Sequence, residues 1–99
     1  RKGRRTMVTH IVMWKLKDGE TKEGAGQEMK KRLEGLAGQV PGMLDAQVHI
    51  GFSGYDLALV SHHGSRADLE VYQCHPAHMK VKEYVHAVIA ERASCDFED

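Results

Sequence analysis

The chain predicts a ferredoxin-like α+β fold, βαββαβ, with a four-stranded antiparallel sheet. Three observations predict it. Apolar residues alternate with period two over residues 7–17 and 43–52. They recur at three and four over residues 22–40 and 76–91. Turn signals separate these segments at Asp18-Gly19, Pro41-Gly42 and Ser53-Gly54.

The first strand runs from Met7 to Lys17. Val8, His10, Val12, Trp14 and Leu16 share one face, and Ile11 and Met13 share the other. Both faces carry apolar groups, so both need cover. In the following helix, Met29, Leu33, Leu36, Ala37 and Val40 form the inward stripe. Gly24, Gly26, Gly35 and Gly38 each weaken it by up to about 1 kcal/mol, so packing on the sheet must hold it. The second strand, about Met43 to Phe52, turns Leu44, Ala46, Val48, Ile50 and Phe52 to one face. The third, Asp56 to His63, contains the apolar run Leu57 to Val60.

Ser65 is a good N-cap for a short helix, with Asp68 in its first turn and Leu69 and Tyr72 facing inward. The helix breaks at Cys74-His75. Pro76, at a first helical position, starts a longer helix through Glu91, whose stripe is Val81, Tyr84, Val85, Val88 and Ile89. Residues 94–99 are read as a short last strand. Helices on one sheet face leave the other bare, and a second copy of the sheet is its natural cover. A homodimer joined through the sheet faces is therefore expected.

Composition narrows the function. A hydrophobic fraction of 41% with 28% charged residues fits one folded globular domain. No apolar run approaches the roughly 20 residues needed to cross a bilayer, so no membrane role is expected. The net charge is zero, yet Arg1, Lys2, Arg4 and Arg5 hold four of the 14 basic residues. Residues 7–99 then keep 10 basic against 14 acidic side chains, a net of −4. Such a body does not suit nucleic acid. Residues 1–6 are read as an expression remnant or a disordered basic arm, and 7–99 as the domain. Cys74 and Cys95, without metal or disulfide spacing, suggest a thiol-bearing cytoplasmic protein.

The stretch Tyr72-Gln73-Cys74-His75-Pro76-Ala77-His78 collects proton-handling groups at the helix junction. Tyr72 and His78 have two readings. They can face one cavity, with His78 removing a proton beside a carbonyl and Tyr72 stabilising the enolate. Alternatively, Tyr72 is a core aromatic and His78 braces the junction. His75 precedes proline, so its backbone should be extended and its ring can cap the helix start. His10 is either a satisfied core histidine or a member of the same pocket. His62 and His63 point to opposite sheet faces, and His63 shares parity with Leu57, Leu59 and Ser61. His49 and His86 are read as solvated surface. His75-x-x-His78 permits shared ligation, but no zinc framework surrounds it, and no metal is expected.

The element order, Thr9-His10-Ile11-Val12 with Lys15-Leu16-Lys17, Leu69–Tyr72, His75-Pro76-Ala77-His78 and Asp96-Phe97 together resemble the stress-responsive A/B barrel (Dabb) family of dimeric α+β barrels. The likeness covers about residues 7–97. Most members have no established reaction. A plant polyketide cyclase of the family works by aldol condensation without metal or organic cofactor. By that resemblance His78 is the base and Tyr72 its helper, and His10 and His75 match further histidines. A third-strand histidine of the cyclase aligns with Leu57 here. The resemblance thus implies no cofactor, a catalytic set of His78, Tyr72 and His10, and a small-molecule pocket touching His75, His63, Leu57, Leu59 and Trp14. Three functions follow as alternatives: a small-molecule-binding protein of unassigned activity, a cofactor-independent cyclase, isomerase or lyase, and a purely structural dimer.

Overall fold

A computed structural model describes residues 7–98. The segment 1–6, expected to be a remnant or arm, lies outside the described residues. The elements are β1 (Val8–Leu16), α1 (Lys22–Glu34), β2 (Met43–Ile50), β3 (Leu57–His63), α2 (Arg66–Cys74), α3 (Pro76–Val88) and β4 (Ile89–Glu98). The strands form one sheet in the order β2-β3-β1-β4 with every neighbouring pair antiparallel, which is the expected ferredoxin-like α+β arrangement.

The alternation in β1 sorts its side chains as predicted. Val8, His10, Val12, Trp14 and Leu16 are buried on one face, and Met13 is exposed on the other. Met29, Leu33 and Leu36 pack with them in a single core. Lys30 of α1 donates to the Val48 carbonyl at 2.7 Å, and the Val48 N–H donates to Glu34 at 2.9 Å, locking α1 onto β2.

Three element assignments need correction. The helical turn ends at Glu34, and Gly35–Gly38 tighten into a 3₁₀ turn, because glycine holds α-helix poorly. Leu44 and Phe52 are exposed rather than inward. A register shift between Met43 and Asp45 turns Met43 into the core and Leu44 out, and β2 ends at Ile50 before Phe52 is reached. Helix α3 stops at Val88 rather than Glu91, and β4 starts at Ile89. The longer β4 pairs with β1 from Leu16↔Ile89 to Val8↔Glu98, with one register shift between Lys15 and Leu16.

The sheet face away from the helices carries Ile11, Met13, Val60 and Phe97, each partly or fully exposed. Among the described residues no helix is long and apolar enough to cross a membrane.

Candidate functional site

Local rules build the helix junction. The Ser65 hydroxyl accepts the Asp68 N–H at 3.1 Å and starts α2, whose inner face presents Leu69 and Tyr72. His75, ahead of proline, is extended at φ −66°, ψ 136°. Its Nδ1 accepts the Ala77 N–H at 3.0 Å, capping α3. The chain therefore reverses sharply, and His78 in the first turn of α3 returns over Tyr72.

The two rings stack, with centroids 4.2 Å apart and planes at 27°. The sheet supplies two more imidazoles below them. His63 lies 5.1 Å and His10 5.8 Å from the Tyr72 ring, and 6.1 Å from each other. Antiparallel pairing makes this possible, since Val8 faces His63 and His10 faces Ser61 across β1 and β3. Tyr72 is thus surrounded by three histidines from three elements, and is itself 1% exposed.

His10, Tyr72 and His78 line one side of a cavity of about 240 Å³ between the sheet and the helices. Trp14, Leu59 and Val85 supply apolar wall, and Lys82 and Arg92 stand among its other lining residues. His63 lies behind Tyr72 rather than on the wall, with its Nε2 hydrogen-bonded to the Ser61 hydroxyl at 3.0 Å. His63 is thus one of three expected pocket residues that do not line the cavity, and the other two sit elsewhere. His75 is spent on the helix cap. Leu57, opposite Trp14 in the strand register, lines a separate groove with Leu16 and Ile50. His49 is exposed, as expected, and His86 is exposed at the cavity.

Burial sets the charge states. It lowers the His78 imidazole below its ordinary range. The Gln73 carbonyl opposes this, and the charges of Lys82, His10 and Arg92 reinforce it. Burial raises the Tyr72 phenol to about 12, with Arg92 opposing. His63 falls to about 4, again chiefly through burial and then through His10, while Asp68 and Asp96 act the other way. Near neutral pH the site therefore holds a neutral His78 able to accept a proton and a phenol that keeps its own.

Asp96, which belongs to the Asp96-Phe97 segment carrying the family likeness, is a site neighbour outside the expected set. It lies opposite His10 in the β1–β4 register and is hydrogen-bonded to His10 Nδ1. An ionised carboxylate only accepts, so His10 Nδ1 is the donor of this bond. Lys82 is likewise outside that set, although it lies one helical turn beyond His78, a spacing legible in the sequence. Arg92 was hidden by the misplaced end of α3. Three buried polar atoms among the site residues have no hydrogen-bond partner among the described residues, Trp14 Nε1, His63 Nδ1 and His78 Nδ1. No group of three or more potential metal ligands occurs among the described residues.

Comparison with solved structures returns the same architecture. A dimeric ferredoxin-like protein of unknown function from Bacteroides fragilis is 26% identical, with a TM-score of 0.87 over 94% of this chain and 96% of that one. A dimeric ferredoxin-like protein of unknown function from Thermobifida fusca is 19% identical, with a TM-score of 0.82 over 95% and 92%. Hydroxynitrile lyase from Passiflora edulis is 14% identical, with a TM-score of 0.79 over 94% and 93%, a likeness of fold alone. A search of curated proteins finds no match. The profile of the stress responsive A/B barrel domain, Dabb, matches residues 8–99. With that match spanning nearly the whole chain, the protein belongs to the Dabb family.

Proposed function

We propose that the protein takes a small organic carbonyl compound into the cavity between sheet and helices and moves a proton on it. The observation that carries this reading is the stack of Tyr72 on His78 at the wall of a cavity that His10 also lines. His78 is the base. Burial keeps it neutral, so it accepts the proton α to the carbonyl. Tyr72 is the donor. Its phenol holds its proton and hydrogen-bonds the carbonyl oxygen as negative charge develops there. His78, now holding that proton, returns it to the product, and His10, fixed in orientation by Asp96, lines the cavity beside it. Leu59, Val12 and Val85 limit water at the reacting centre. The Dabb domain, residues 7–99, works as a homodimer through its helix-free sheet face. Its exposed apolar side chains and the dimeric state of similar proteins support this. Exposed free thiols at Cys74 and Cys95 fit a cytoplasmic setting.

The test is α-proton exchange of small ketones and aldehydes in D₂O, followed by NMR. The wild-type protein accelerates exchange of at least one compound. His78→Ala and Tyr72→Phe lose that acceleration by about 100-fold or more while their circular dichroism is unchanged. Exchange that is indifferent to both substitutions rejects proton transfer at this site. Compounds that bind beside Trp14 without exchanging leave a binding protein, and the absence of any binding leaves a structural dimer.

A further inference from the structure

We infer that the cavity is built for an anion, and that its ligand is a small carboxylic acid bearing a second carbonyl group. This rests on the carbonyl chemistry proposed above and names the substrate class. The domain is net acidic over residues 7–99, with 10 basic and 14 acidic side chains. The cavity has the opposite character. Lys82 and Arg92 line it, and no carboxylate does among the described residues. Neither cation is in an ion pair among the described residues, although five of the seven pairs found there engage a lysine or arginine. Asp96 shares the face of β4 with Arg92, and it is engaged with His10.

The two cations come from separate elements and converge. Lys82 lies four residues after His78, on the same face of α3. Arg92 lies on β4 opposite Trp14 of β1. Both side chains line the cavity together with Tyr72 and His78. Trp14 is 4% exposed and lines the same cavity, yet its indole N–H has no partner. A buried donor left without an acceptor is costly, and a ligand oxygen satisfies it.

Geometry and size favour a carboxylate. The planar guanidinium of Arg92 matches a carboxylate with two parallel hydrogen bonds. A volume of about 240 Å³ equals roughly eight water molecules at about 30 Å³ each, enough for a short keto acid. With its carboxylate on Arg92 and Lys82, such an acid directs its ketone toward Tyr72 and His78.

The experiment compares 4-oxopentanoate with its neutral isostere 4-oxopentanamide, and both with inorganic phosphate. Binding is followed by NMR at the Trp14 indole N–H and the His78 ring of the intact protein. The acid binds about tenfold more tightly than the amide. Added salt weakens the acid alone, and phosphate competes poorly. Arg92→Gln with Lys82→Gln brings the acid down to the affinity of the amide. Neither side chain is buried in the core, so the double variant retains the fold. Equal binding of acid and amide overturns the anion preference while leaving the carbonyl site standing. Tighter binding of phosphate than of the acid overturns the carboxylate assignment. Acid binding unchanged in the double variant removes Arg92 and Lys82 from recognition. If neither organic probe moves the two resonances, both the anion preference and the carbonyl reading fall.

Discussion

Replacing His63 by glutamine should flatten the acid sensitivity of this fold. His63 is fully buried, and its imidazole titrates at about 4 against an ordinary value of 6.5. Between those values the unfolded chain binds a proton that the folded protein refuses. Stability is therefore complete above pH 6.5 and falls as the pH drops toward 4. One pKa unit is about 1.4 kcal/mol, so the loss between pH 7.5 and pH 5 is roughly 2 kcal/mol from this residue alone. Glutamine has no titrating group and keeps an amide to meet the Ser61 hydroxyl. Urea unfolding at several pH values, at one fixed protein concentration because a dimer's stability depends on it, gives the two slopes. His78 remains in both proteins and supplies a residual slope of the same sign. Glu34 is held below its usual range by the Val48 N–H and Lys30, so it titrates beneath the window. Wild-type and His63→Gln slopes that agree within about 0.5 kcal/mol would refute the reasoning. A direct NMR titration of His63 near its ordinary value would do the same.

Other substitutions probe the frame around the site. Ser65→Ala removes the cap of the helix that carries Tyr72 and should cost about 1 kcal/mol, a fall in Tm of roughly 5 °C by thermal circular dichroism. Gly42 and Gly54 share φ +82°, but a side chain at Gly42 runs into Asp68 while one at Gly54 meets open space. Gly54→Ala should cost about 1–2 kcal/mol in denaturant unfolding and Gly42→Ala distinctly more; equal losses would remove the Asp68 contact from the account. Ile11→Asp puts a charge on the helix-free sheet face and should convert the dimer to a monomer in size-exclusion chromatography with light scattering. An unchanged dimer moves the interface off that face.

The β1 pattern shows why part of the site was readable. Alternation alone sent Val8, His10, Val12 and Trp14 to the helix side, because successive side chains on a strand point to opposite faces. The same parity placed His63 with Leu59 and Ser61. At the junction, His75-Pro76 dictated the extended residue, the cap and the new helix from local sterics. The misreadings arose where local rules were silent. Leu44 has a sound inward pattern, and only the bulge beside it turns it out. Val88 and Ile89 fit a helical stripe, and only pairing with β1 makes Ile89 a strand residue.

The sequence by itself determined the βαββαβ order, the buried face of β1, and the helix break at His75-Pro76 between Tyr72 and His78. These follow from periodicity, caps and proline, which act over a few residues. The tertiary structure decided that Asp96 stands behind His10 and that Arg92 reaches the same cavity as Lys82. Those outcomes depend on the register between β1 and β4, whose partners are more than seventy residues apart. Register is chosen by the packing of whole faces, and a slip of one residue would turn Arg92 and Asp96 to the other side of the sheet.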